Sequence, residues 1–191
     1  MFHPFSFLLL GTLILFNTHT YVNFSYTNDF KTIVYIVIFI NTMILPAIIV
    51  WYLSKRGIID SIYLEKTSDR KIVYVINFCF YLVALFLLSS LNAPSVIYKL
   101  AFGSTLIIGL LFVFVLMNRK YSAHLAAFGG LTGALVMLSI KLNTDFLALI
   151  SVVVILGGVV GMSRMMVKAH KENEIYWGFL IGFFAQVLIF S

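Results

Sequence analysis

The sequence predicts an all-α polytopic membrane protein, a helical bundle of six or seven transmembrane helices. Of its 191 residues, 62% are hydrophobic and only 10% are charged. A soluble domain with so few charges could not cover that much apolar surface. The apolar residues also form long blocks, and a helix needs about 20 of them to cross the hydrocarbon core. Such segments must be helical because lipid offers no partner to a free backbone N–H or C=O.

Seven apolar blocks justify this helix count. The first block, Phe5 to Phe16, is short and runs into polar residues. It is either a tilted span that ends near Phe24 or a segment that only enters the membrane. The other six approach or reach the required length: residues 32–53, with a kink expected at Pro46, then 72–91, 96–117, 122–140, 146–162 and 175–190. We therefore expect residues 1–191 to form a single transmembrane domain, with no cleavable signal peptide.

Glycine spacing predicts close packing of the last three helices. Blocks five, six and seven each carry two glycines four residues apart: Gly129 and Gly133, Gly157 and Gly161, Gly178 and Gly182. Small residues at this spacing allow helix backbones to approach closely in lipid.

The charges divide unevenly between the two ends of the bundle. Ten of the 13 basic residues belong to the loops after blocks two, four and six, which lie on one side. The opposite side has only Lys31, Lys99 and Lys141. Positive-inside bias places the richer side in the cytoplasm.

Several classes of function do not fit the composition. The single cysteine, Cys79, excludes a disulfide framework. Four histidines are too few for a His-box di-iron enzyme, and there is no P-loop, no CxxC and no basic run for nucleic acid. No ionisable residue lies deep in a block, which disfavours a transporter. We expect neither a metal nor another cofactor.

Two histidines lie on the charged side, His124 at the start of block five and His170 just before block seven. Glu174 follows His170 at i+4, which places the two side chains on one face of a helix. A carboxylate beside an imidazole fixes its tautomer and raises its basicity. Alone, this pair is more typical of a solvated surface than of a catalytic site.

The surrounding sequence changes that interpretation. Arg164, preceded by Ser163, stands six residues before His170, and Glu174 stands four residues after it. Gly178 and Gly182 follow in the next predicted helix. This string resembles the third signature of the type 2 phosphatidic acid phosphatase family, SRxxxxxH followed by an acid, usually Asp. The family shares its fold with vanadium haloperoxidases.

Two further signatures match in part. Tyr121-Ser122-Ala123-His124 opens block five where the family has PSGH, so Ser122 and His124 agree while Tyr121 and Ala123 depart. The first signature, KxxxxxxRP, retains only Arg70, and the nearest upstream lysine is Lys66. The resemblance covers roughly residues 65–182 and fits a compact, divergent bacterial branch.

The resemblance implies a metal-independent phosphatase that forms a phosphohistidine. His170 would be the nucleophile, Glu174 its orienting group and His124 the general acid. Phosphate would be bound by five residues on the same face: Arg70, Arg164, Lys120, Ser122 and Lys66.

The resemblance leaves the substrate open between a lipid phosphate and a polyprenyl diphosphate in the cell membrane. Bacterial members usually carry the site on the periplasmic side, against the cytoplasmic side indicated by charge. The departures leave one alternative from another class, a non-catalytic member that binds anionic lipid headgroups.

Overall fold

A computed structural model describes residues 6–59, 67–167 and 169–191, and every element in these ranges is helical. The chain is therefore an all-α bundle, as predicted. The elements are α1 (Phe7–Asn17), α2 (Tyr21–Phe24), α3 (Asn28–Phe39), a π-helical turn (Ile40–Ile44), α4 (Leu45–Lys55), α5 (Thr67–Ser90), α6 (Ser95–Leu116), α7 (Ala123–Leu142), α8 (Leu147–Met166) and α9 (Glu172–Phe190).

Six helical stretches in the described part are long and apolar enough to cross a membrane. They are α3 to α4, which run on continuously as Asn28–Lys55, and then α5, α6, α7, α8 and α9. The first apolar block differs, because α1 has 11 residues and spans about 16 Å at 1.5 Å per residue. It ends at Asn17, and α2 begins separately at Tyr21. The first block therefore does not form one helix through to Phe24.

The irregularity expected at Pro46 takes the form of the π-helical turn immediately before it. Proline has no N–H to donate to the preceding turn. The side chain of Asn41 donates to the carbonyl oxygen of Val37 at 2.9 Å. The helix continues on either side of this wider turn, so Asn28–Lys55 remains one long element.

Glycines bring α7 and α9 together backbone against backbone. A Cβ added to Gly178 would stand 2.7 Å from the carbonyl oxygen of Ser122, and one on Gly182 would stand 1.9 Å from that of Ala126. Later residues of α9 meet later residues of α7 in these contacts, so the two helices run parallel. Two glycines of α7 meet carbonyl oxygens of α9 in the same way: Gly129 and Gly133.

The α8 helix packs against this pair less closely. A Cβ on Gly157 would meet the Phe128 side chain at 3.3 Å, and one on Gly161 would meet Ile175 at the same distance. Both values are side-chain contacts rather than backbone contacts. The predicted cluster of the last three helices is confirmed, and its tightest part is the parallel pair α7 and α9.

Asparagines in the left-handed conformation end three successive helices. Asn92, Asn118 and Asn143 have φ values of 50°, 58° and 48°. Asparagine tolerates this conformation better than most residues. Asn118 leads the chain into the segment that carries Ser122 and His124.

Candidate active site

His170 lies just before α9 and is held by a carboxylate of that helix. Its Nδ1 is 2.8 Å from Oε2 of Glu174, and the exposed fractions of the two side chains are 8% and 23%. The same oxygen accepts the backbone N–H of Lys171 at 3.3 Å. Glu174 thus binds both the imidazole and the first turn of α9, which fixes the ring relative to the helix.

This contact determines which nitrogen of His170 is available for reaction. An ionised carboxylate can only accept hydrogen bonds, so Nδ1 of His170 carries the proton and donates. The neutral ring then holds its lone pair on Nε2, on the side away from Glu174. A phosphorus atom that approaches Nε2 would meet a nucleophile whose tautomer is already set.

The surroundings of His170 favour its neutral form. Burial lowers its pKa below the ordinary value of 6.5, because the imidazolium loses solvation, while the hydrogen bond to Glu174 acts in the opposite direction. The positive charges of Arg70 and Arg164 lower the pKa further. The surroundings of His170 therefore favour the form that can act as a nucleophile.

His124 lies in the first turn of α7 and contacts Arg164 in the last turn of α8. Nη2 of Arg164 is 2.9 Å from Nε2 of His124 and 3.2 Å from Nδ1. A guanidinium donates and never accepts, but Nη2 lies near both ring nitrogens, which places the guanidinium against the imidazole ring rather than on the lone pair of one nitrogen. An anion that drew Arg164 away would release His124 to exchange a proton.

Ser122 joins the two halves of the site through its backbone. Its N–H donates to the carbonyl oxygen of Glu174 at 3.0 Å. Its hydroxyl accepts the N–H of Leu125 at 3.5 Å and so caps α7, and the residue is fully buried. The backbone of Ser122 therefore fixes the position of His124 along the bundle axis relative to His170. The role of Ser122 as a phosphate donor stays a prediction.

Six of the predicted site residues lie together in the structure. Five are joined by contacts, and Arg70 is placed by the effect of its charge. Contacts join His124, Arg164, His170, Glu174 and Ser122, and the effect of Arg70 on the pKa of His170 indicates that it is near. Lys120, two residues before Ser122, makes no hydrogen bond with either histidine among the described residues. Lys66 lies outside the described residues.

The contact between Arg164 and His124 was not predicted, and 40 residues separate the two in sequence. Both residues had been singled out, but as separate parts of a phosphate site. No sequence signal would have paired them, because their contact depends on how α8 packs against α7. Within the described ranges no group of three or more His, Cys, Asp or Glu side chains stands in a metal-binding arrangement.

Comparisons with family models, with curated proteins and with solved structures find no match to this chain. The function is therefore inferred from the geometry of the site and from the signatures in the sequence.

Proposed function

We propose that the protein is an integral membrane phosphatase that hydrolyses a lipid phosphate or a polyprenyl diphosphate through a phosphohistidine. The observation that carries this proposal is the oriented His170–Glu174 pair, with the Arg164–His124 contact and Arg70 beside it. This group of residues combines a nucleophile of fixed tautomer, a second imidazole and two cations at one end of an apolar bundle.

In the first step, Nε2 of His170 attacks phosphorus and the bond from phosphorus to the leaving oxygen breaks. The ring becomes positively charged, and Glu174 stabilises that charge through Nδ1. His124 in its protonated form gives this proton to the leaving oxygen, so the alcohol departs neutral and the imidazole is left neutral. In the second step, His124 takes a proton from water, the oxygen of that water attacks phosphorus, and the bond to Nε2 breaks.

The arginines supply the charge stabilisation that phosphoryl transfer requires. The planar guanidinium matches phosphate oxygens with two parallel donors. Arg164 contacts His124, and a phosphate placed between them would take over the donors of Arg164. Binding of the substrate would then leave the imidazole of His124 free beside the leaving oxygen.

Purified protein should release inorganic phosphate from a lipid phosphate in the presence of EDTA. Vanadate should inhibit, because a site that stabilises five-coordinate phosphorus also accepts vanadate in that geometry. His170→Ala should abolish release, while His19→Ala serves as the matched control, since His19 is an exposed histidine that contacts Phe24.

Three results would count against this mechanism. Activity that disappears with EDTA and returns with a divalent cation would contradict the metal-independent route. Turnover unaffected by vanadate would contradict the assignment of the site. Specific binding of anionic lipid without any phosphate release would favour the alternative, a headgroup-binding protein that is not an enzyme.

A further inference from the structure

The contact between Arg164 and His124 places a permanent positive charge against an imidazole. Nη2 of Arg164 is 2.9 Å from Nε2 and 3.2 Å from Nδ1 of His124, and the contact is partly buried. A guanidinium keeps its charge at every ordinary pH. A like charge this close disfavours the protonated form of the imidazole, and more strongly where water is partly excluded. His124 therefore resists protonation while Arg164 lies against it.

The other charged groups of the site come from different elements. Arg70 of α5 acts by its charge on both Arg164 and His170. Glu174 of α9 directs its carboxylate to His170. Lys120 stands before α7 and makes no hydrogen bond with either ring in the described part of the chain. Two guanidinium groups thus act on the site against one carboxylate, which is already bound to His170.

The proposed mechanism needs the two imidazoles in opposite protonation states. His170 must be neutral to attack phosphorus, and burial and the nearby arginines favour that form. His124 must carry a proton to give to the leaving oxygen. Because positive charge opposes protonation of both rings before substrate binds, the substrate itself must supply what favours a proton on His124.

A phosphate ester has the charge and the shape to do this. It carries up to two negative charges near neutral pH, and its oxygens match the paired donors of a guanidinium. Arg164 would exchange its contact with the ring for a contact with the anion. His124 would then lie beside a compensated cation and an anion, and this environment favours the imidazolium.

We propose that Arg164 couples the binding of a dianionic phosphate group to the protonation of His124, so that the general acid is charged only when substrate is present. This inference rests on the proposed function and gives Arg164 a positioning role besides charge stabilisation. Linkage makes the effect reciprocal, since a proton on His124 must strengthen anion binding by the same factor. The alkaline limb of kcat, which reports the complex, should lie at higher pH than that of kcat/KM, which reports the free enzyme.

A titration that does not depend on turnover tests the coupling. Sulfate is the probe, because it is a tetrahedral dianion that keeps both charges throughout the range in which histidine titrates. The protein in detergent carries carbon-13 at the histidine Cε1 atoms, and NMR follows each ring with and without saturating sulfate. Replacement of each of the four histidines by Gln assigns the signals. In wild type, sulfate should raise the midpoint of the His124 titration by about one pH unit or more.

Arg164→Gln separates the contact from a general effect of the anion. Without the guanidinium, the His124 midpoint should already be higher before sulfate is added, and sulfate should then move it less than in wild type. Arg56→Gln is the matched control, because Arg56 is an exposed arginine at the same end of the bundle and donates to Tyr52. It should titrate as wild type does. If Arg164→Gln fails to fold, the wild-type titration alone decides the proposal.

The outcomes separate this coupling from the proposed function. An unchanged His124 midpoint in sulfate, or an equal change in wild type and Arg164→Gln, would overturn the coupling, and phosphate release by the same preparation would leave the phosphatase in place. A change that depends on Arg164, without phosphate release from any substrate, would support the coupling and overturn the phosphatase. If sulfate moved none of the four signals, the anion site and the coupling would both be wrong.

Discussion

At the scale of single residues, the two histidines are held in different ways. His170 donates to a carboxylate through Nδ1, whereas His124 contacts a guanidinium. A carboxylate partner prepares an imidazole to bear positive charge, which is what a nucleophile acquires on phosphorylation. A guanidinium beside an imidazole disfavours its protonated form until an anion compensates the positive charge. The two rings are therefore suited to different steps.

His170→Ala should abolish turnover of every substrate, while His124→Ala should spare substrates with good leaving groups. Without His170 nothing attacks phosphorus. Without His124 a lipid alcohol must leave as an alkoxide, and loss of a general acid typically costs about 10²–10⁴-fold. Nitrophenolate needs little protonation, so the deficit should shrink with leaving-group acidity in a series of aryl and alkyl phosphates.

Two outcomes would contradict this division of roles. Equal loss of activity in both variants on nitrophenyl phosphate and on lipid phosphate, with normal folding, would show that His124 does more than protonate the leaving group. Full activity in both variants would exclude this site as the catalytic centre.

The pH dependence of kcat/KM should report the protonation of His170. Since burial lowers the pKa of His170 below 6.5, the acid limb of the profile should lie below that value. Glu174 raises this pKa through its hydrogen bond and its charge, so Glu174→Gln should move the limb to still lower pH while decreasing kcat. A limb above 6.5 would contradict the neutral, buried nucleophile.

The same shift has a consequence for stability, with its sign set by the lowered pKa. Between the folded pKa and 6.5 the unfolded chain binds more protons than the folded chain. The contribution of His170 to the free energy of unfolding is thus complete above 6.5 and is lost as the pH falls below it. Thermal unfolding of wild type against His170→Gln across this range would measure that contribution.

At the scale of helices, the site depends on two parallel helices that begin at the same level. Ser122 at the start of α7 donates to Glu174 in the first turn of α9, and this contact requires the backbones to be close. Glycines provide that closeness next to it, at Gly178 and Gly182. The packing of α7 against α9 therefore positions His124 relative to His170.

Gly182→Ala should destabilise the protein and decrease its activity, whereas Gly158→Ala should do neither. A Cβ on Gly182 would lie 1.9 Å from the carbonyl oxygen of Ala126, while one on Gly158 would have no atom within 4 Å. Since the clash is with backbone, the helices must separate, at a cost on the order of 1–3 kcal/mol or more. Thermal unfolding in detergent and kcat for a soluble substrate measure the two effects.

The control addresses the general effect of replacing a helical glycine with alanine. If Gly158→Ala lowered the melting temperature as much as Gly182→Ala, close packing of α7 and α9 would not explain the loss. If Gly182→Ala folded normally and kept full activity, the spacing of the two helices would not position the histidines.

Most of the fold was predictable from sequence because membrane-length helices are read from continuous apolar runs. The glycine pairs also predicted the close contact of α7 with α9. The first block was ambiguous, because a twelve-residue block that is mostly apolar and is followed by polar residues fits either a short helix or the start of a long one. Its structure, an 11-residue helix with Leu8 and Leu15 buried, depends on packing partners that sequence does not identify.

The candidate site was predictable only in its residue types. The i, i+4 spacing predicted that His170 and Glu174 meet on one face of a helix, and their hydrogen bond is observed. The shared helix face is not, because His170 precedes α9 and Lys171 between them is extended. The pairing of Arg164 with His124 and the burial of Ser122 follow from tertiary packing. Sequence periodicity carries no information on either of them.

At the scale of the whole molecule, the candidate site residues and most of the described basic residues share one end of the bundle. The even number of long helices places both Asn28, where the first begins, and Phe190, where the last ends, at the opposite end. Two explanations exist for the excess of positive charge at the site end. It directs insertion of the helices, or it binds phosphate, in which case it says less about orientation.

Cysteine accessibility in intact cells should place the site end in the cytoplasm and Ser95 outside. The background is Cys79→Ser, because Cys79 is a free, exposed thiol. Ile58→Cys and Arg119→Cys mark the loops at the site end, and Ser95→Cys marks the start of α6 at the other end. An impermeant maleimide should label only Ser95→Cys until the cells are opened.

If residues 58 and 119 reacted on opposite sides, the helix arrangement itself would be wrong. If both reacted from outside, the arrangement would stand with the site facing outwards, and the cations at that end would be there for phosphate.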